Sequence, residues 1–189
     1  MSAEAPAQPS GAAGVWVAIR SWIFTLILAV GIFMLATTFV GGPIDNGTAI
    51  DFQVETLDGA TLRAADLRGK PVVIYVWATW CGACKLTTPT VDNFATRHPE
   101  LTVLAVAADD PAAVRAAVQA EPRSFRVVPD GTALAQQLGV RAFPTTIVIG
   151  ADGTVIWNRQ GVLLPGELDV RTLGAGASTP PAAAPAPNA

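Results

Sequence analysis

VWATWCGACKLTTP, residues 76–89, holds the only two cysteines of a 189-residue chain. Ahead of them Pro71 to Ala78, PVVIYVWA, is a continuous apolar and β-branched run, the pattern of a strand buried on both faces. Behind them Gly82 to Arg97 carries Leu86, Val91, Phe94 and Ala95 at roughly helical spacing. Cys81 therefore stands at a predicted strand-to-helix junction. A helix N-terminus exposes unpaired N–H groups and the positive end of the dipole, and both favour thiolate, the nucleophilic form, over thiol. Cys84 comes round one turn later, within reach of Cys81. The expectation is an exposed, reactive Cys81 and a more buried Cys84 able to resolve a mixed disulfide.

Other uses of two cysteines fit less well. A structural staple gains little from closing so short a loop, because the entropic gain grows with loop length. A zinc site needs about four ligands, and the chain adds one histidine, His98, to its two cysteines. His98 falls at the end of the predicted helix, where a solvated imidazole sits comfortably beside free carbonyls. A C-x-x-C pair beside a βαβ pattern reads as a redox pair, with no metal and no organic cofactor.

Outward from the cysteines the signals alternate. FQVETLDGATLRAADL holds two short strand-like runs around Asp58-Gly59, a hairpin dipeptide. Strands are expected at 101–107, 126–128, 145–149 and 154–158, and helices at 111–120, 132–138 and 167–173. The last two strands flank Ala151-Asp152-Gly153, a second hairpin turn. A strand–helix–strand unit followed by an antiparallel hairpin implies an α/β class, with a central mixed sheet flanked by helices. Phe143-Pro144 immediately precedes a strand. It reads either as an ordinary trans proline at a strand start or as a cis bond whose preceding residue, Phe143, offers its backbone to a bound peptide.

The composition is 51% hydrophobic and 14% charged with a mean hydropathy of +0.42, too apolar for a wholly soluble domain. The excess lies in Trp22 to Val40, which carries no charge and is long enough as a helix to cross a hydrocarbon core. Trp16 and Trp22 sit where interfacial aromatics are expected. A cleaved signal peptide is the alternative, but its apolar region would run about 7–15 residues and end in small residues, and TTFVGGP offers no good A-x-A site. The boundaries read as an N-terminal stub at 1–15, a transmembrane anchor at 16–40, a linker at 41–49, a folded domain at 50–173 and a Pro/Ala-rich tail at 174–189. Arg20 on the N-terminal side, with no Lys or Arg from 21 to 62, orients the folded domain away from the cytoplasm. A net charge of −3 without a basic stripe excludes nucleic acid as a partner. Nothing requires more than a monomer.

With WCGAC after a buried strand and F-P-T at a later strand start, residues 50–173 resemble the thioredoxin superfamily. The lead-in DFQVETLDGATLRAADLRGKPVVIYVWATWC is similar to its TlpA-like branch of membrane-tethered protein disulfide oxidoreductases. KLTTPTVDNF and WNRQGVLLPGELDVRTL resemble the ScsD type, named for suppression of copper sensitivity. The resemblance implies a thioredoxin-like fold, Cys81 as attacking and Cys84 as resolving cysteine, Pro144 as the cis-proline, and Trp80 packed beside the site to help recognise the partner. It implies protein thiol and disulfide substrates, a membrane redox partner, and a periplasmic domain on the inner membrane. Two departures stand out. The buried acid of thioredoxin is here Tyr75, so another group or water must move the proton of the buried cysteine. The glutamates of the cytochrome c maturation members are here Thr87 and Thr145. A copper-binding protein or metallochaperone of the same fold is the alternative, although the related copper chaperones place three residues between their cysteines, where this chain has two, and add a distal histidine, where this chain has none in its second half.

Overall fold

The computed structural model describes residues 20–30, 44–173 and 175. The chain divides into two units, Met1–Gly41 and Gly42–Ala189. In the first, residues 20–30 form a solvent-exposed helix, α1. The predicted stub, the remainder of the anchor and the tail apart from Ala175 lie outside the described residues. Among the described residues no helix is long and apolar enough to cross a membrane.

The second unit opens with β1 (Gln53–Glu55) and β2 (Thr61–Arg63), paired antiparallel across the predicted turn. Gly59 sits there at φ +82°, a conformation open to glycine without steric cost. Then follow β3 (Val72–Trp77), α2 (Gly82–Arg97), β4 (Thr102–Ala107), α3 (Pro111–Ala120), β5 (Arg126–Val128), α4 (Thr132–Gln137), β6 (Thr145–Ile149), β7 (Val155–Gln160) and α5 (Glu167–Leu173). Five strands form one sheet in the order β5-β4-β3-β6-β7. β3, β4 and β5 run parallel, while β6 and β7 are antiparallel to their neighbours. This is the mixed α/β sheet of a thioredoxin-like fold.

The unbroken apolar run of β3 follows from its central place. Ile74 and Val76 point into one core with Phe52, Leu104, Leu134 and Ile147. Val73 and Tyr75 point into the other with Val91, Phe94, Val114 and Leu168. With both faces covered, alternation along the strand has no polar side to record. β3 and β4 are in register at Trp77 and Ala107, and Ala108 N–H donates to the Trp77 carbonyl at 2.9 Å. Both strands thus end at one edge of the sheet, and the segments that follow them emerge side by side.

Three expectations need correction. β7 reaches Gln160 rather than Asn158, because Gln160 still pairs with Thr145 at the far end of β6. Leu86 is 69% exposed. The buried stripe of α2 instead runs through Cys84, Thr87, Thr88, Val91, Phe94 and Ala95. The two threonines are tolerated inside because their hydroxyls donate to the carbonyls of Ala83 and Cys84, at 3.2 and 2.8 Å.

The third concerns His98, which caps α2 but is more than a solvated ring. Its Nε2 lies 2.8 Å from Asp169 Oδ1 on α5 and its Nδ1 3.2 Å from Glu100 Oε1. The same carboxylate pairs with Arg97. The Asp169 hydrogen bond is the main cause that raises the His98 pKa above its ordinary 6.5. The folded state binds the proton more tightly, so this contribution is fully present below pH 6.5 and fades as pH rises through the raised value. Chemical denaturation across neutrality should therefore show a stability loss with rising pH, within about 1 kcal/mol for so partly exposed a pair. His98→Gln should flatten it; an unchanged slope in that variant would assign the pH dependence elsewhere.

Candidate active site

The loop from Ala78 to Trp80 joins β3 to α2, and Cys81 N–H donates back to the Ala78 carbonyl at 3.2 Å. Cys81 is the N-cap of α2, extended at φ −79° and ψ 109°, and its Sγ accepts from Cys84 N–H at 3.1 Å. The sulfur takes the place that a serine or aspartate oxygen usually holds at a helix start. The same N–H bond and the helix dipole stabilise a negative Sγ. Cys81 and Cys84 are joined as a disulfide, with Cα atoms 5.2 Å apart.

The order of exposure is the expected one, but the expectation of an open Cys81 needs correction: Cys81 is 6% and Cys84 2% exposed. With Sγ bonded inward to Cys84, Trp77, Ala83 and Phe143 pack against the pair and cover it. Trp80 is 67% exposed and meets Phe143 edge to face, with ring centroids 5.8 Å apart. The Phe143–Pro144 bond is cis. Pro144 is buried, and its carbonyl accepts from Gly161 N–H at 2.8 Å. Trp80 and Phe143 thus meet beside the covered cysteine pair, with Pro144 next in chain.

Two further groups build the site: Asp109 was not read from the sequence, and Tyr75 was read only as the residue at the buried acid's place. Asp109, two residues beyond β4, grips the loop ahead of Cys81. It accepts from Thr79 N–H at 2.9 Å and from the Thr79 hydroxyl, and its other oxygen accepts from Asp110 N–H at 2.8 Å. Partial burial pushes the Asp109 pKa up, but the bonds from Thr79 and Asp110 together outweigh it and hold the carboxyl below its usual value. Its signal was an acid just past a parallel strand adjoining the cysteine strand, where open α/β sheets carry their sites.

The other group is Tyr75, wholly buried on β3 behind the second cysteine. Its hydroxyl donates to the Cys84 carbonyl at 3.2 Å and lies 3.0 Å from Thr88 Oγ1. Thr88 donates to the same carbonyl. The pair holds the first turn of α2 by its backbone. Burial, opposed by the Thr88 bond, pushes the Tyr75 pKa up to about 12. Tyr75 stays neutral and is no base at physiological pH. Among the described residues no group of three or more His, Cys, Asp or Glu side chains is placed to hold a metal ion.

Residues 44–175 match the family model described as Redoxin. The chain is 29% identical over 148 residues to "Thiol-disulfide oxidoreductase ResA" of Halalkalibacterium halodurans, covering 72% of this chain and 84% of that protein. It is 32% identical over 114 residues to "Thiol:disulfide interchange protein DsbE" of Pseudomonas fluorescens biotype C, covering 59% and 64%. The structure of MTB dsbF in mixed oxidized and reduced forms superposes with a TM-score of 0.60 at 31% identity, over 66% of this chain and 94% of that one.

Proposed function

The chain belongs to the Redoxin family and is a thiol–disulfide oxidoreductase, and we propose that it exchanges disulfides with protein substrates through Cys81 and Cys84 on the extracytoplasmic side of a membrane. The observation that carries this reading is the hydrogen bond from Cys84 N–H to Cys81 Sγ at a helix start, with a second sulfur one turn behind. In the reducing direction the Cys81 thiolate attacks one sulfur of a substrate disulfide. A Cys81–substrate bond forms, the substrate S–S bond breaks, and the departing sulfur leaves as thiolate and takes a proton from water. Cys84 then loses its proton and attacks Cys81 Sγ. The protein disulfide closes and the substrate leaves with two thiols. The oxidising direction is the reverse, and both electrons stay on sulfur throughout, so the cycle needs no cofactor.

Trp80, Phe143 and the backbone beside Pro144 serve as the docking surface for the substrate segment, supported by the exposed edge-to-face ring pair beside the cysteines. The apolar segment 16–40 anchors the chain in the inner membrane, the linker 41–49 leads to the domain at 50–173, and the tail 174–189 carries no chemistry. The length of the apolar run and Arg20 ahead of it support the anchor and its orientation. KLTTPTVDNF and WNRQGVLLPGELDVRTL support the ScsD type. A membrane thiol carrier recharges the pair, and the protein works as a monomer.

Cys84→Ala removes the resolving sulfur and should trap mixed disulfides on Cys81, visible on non-reducing gels after acid quenching and absent from the double variant with Cys81→Ser. No adduct with any extracytoplasmic protein would overturn the two-step reading. The midpoint potential assigns direction: about −270 mV marks a reductase like thioredoxin, and about −120 mV a disulfide donor.

A further inference from the structure

Resolution requires Cys84, 2% exposed in the disulfide, to lose a proton, and no buried acid among the described residues stands behind it to take it. The strand position behind it is the neutral Tyr75, whose hydroxyl is engaged with the Cys84 carbonyl and Thr88. His98 is at the far end of the 16-residue α2. Asp109 is held by Thr79 and Asp110 on the loop side. What does reach Cys84 is a cavity of about 120 Å³ between the start of α2 and the end of α3, bordered by Trp77, Cys84, Thr88, Val118, Glu121 and Arg123.

The size and lining of this cavity suit it to water. It offers room for several molecules beside polar walls, where a buried water needs about 10–15 Å³ and two to four polar partners. The charged groups around it are Lys85 on α2 and the ion-paired Glu121 and Arg123 beyond α3. The Glu121 side chain is 71% exposed, so the cavity runs from beside Cys84 to bulk solvent.

We propose that this cavity is the proton exit of the resolving cysteine: water inside it takes the Cys84 proton to solvent as Cys84 Sγ attacks Cys81 Sγ, in place of a buried carboxyl base. The inference rests on the two-cysteine cycle above. Balance is simple: Cys84 S–H gives its proton to cavity water, its sulfur pair forms the bond to Cys81, and the substrate sulfur leaves with the pair of the bond that breaks.

The test uses the reduced full-length chain and the aromatic disulfide dithiobis(nitrobenzoate), which reports the steps separately. Attack by Cys81 releases one coloured thiolate, and resolution by Cys84 releases the second. Val118→Phe, which sets a ring in the cavity, should slow the second release about tenfold or more, in the range of a lost proton-transfer route, and leave the first unchanged. Ala117→Leu, from the same wall, serves as the second variant should the phenylalanine impair folding. Glu121→Gln should leave both phases unchanged. An unaltered second phase in the filled variants overturns the inference, and so does a Glu121→Gln protein slowed as much as they are, since that would make the carboxylate the base. Absence of any second release in the wild type would instead overturn the two-cysteine cycle itself.

Discussion

Cys81→Ser is expected to lose disulfide exchange by at least about 10³-fold, the scale of removing an activated nucleophile, while keeping the fold. The two outcomes separate because the proposed cycle gives Cys81 two jobs. As nucleophile its sulfur is irreplaceable: a hydroxyl is not ionised near neutrality and cannot form the mixed disulfide. As N-cap of α2 it only accepts the Cys84 N–H, and a serine hydroxyl is among the best groups for that. Against the reduced wild type, Cys81→Ser should therefore match in stability. Cys81→Ala should be less stable by about 1 kcal/mol for the lost cap and equally inactive. Insulin reduction and thermal unfolding of the three proteins decide it. Near-normal turnover by Cys81→Ser would make Cys84 the attacking sulfur, which its 2% exposure argues against. A Cys81→Ser protein no more stable than Cys81→Ala would mean the cap contributes nothing.

What was legible in the sequence is what short-range pattern records. The strand before the cysteines, the helix after them, both hairpins and the place of Phe143-Pro144 each depend on a handful of neighbouring residues, and each is found in the structure. What was illegible depends on which chain segments meet. His98 looked solvated because its partner Asp169 lies 71 residues on, on a helix whose docking no local pattern records. Leu86 looked buried because apolar spacing alone cannot show that two threonines satisfy their hydroxyls on their own helix and take the inner face. Asp109 was one of two adjacent acids after a strand, and only the parallel register of Trp77 with Ala107 brings it against Thr79. Cys81 was expected open because helix-start chemistry says nothing of the rings of Trp77 and Phe143 that close over it. The cysteine pair was written locally; its scaffold was written in tertiary contacts.

That scaffold has a position where one methyl group should matter more than most core truncations. Gly131 starts α4 at φ −101°, a backbone any residue can adopt, so its glycine is required by space. A Cβ there would lie 2.3 Å from Val106 Cγ1 and 2.9 Å from the Ala107 carbonyl oxygen. Val106 is wholly buried, and the carbonyl already accepts from Gly131 N–H at 2.8 Å, so neither can yield without moving the end of β4. Gly131→Ala should cost about 3 kcal/mol, the upper range of overpacking, and lower Tm by on the order of 10 °C. The displaced segment runs through Ala108 to Asp109, which holds Thr79 just ahead of Cys81. Gly131→Ala should therefore also change the rate at which reduced Cys81 is alkylated in the folded protein. Leu168→Ala, a comparably costly cavity on α5, should leave that rate alone. An equal change in both variants would trace the effect to general loosening. A stable Gly131→Ala protein would mean the β4 end is softer than its burial implies, and that Asp109 does not depend on it for its grip on the loop.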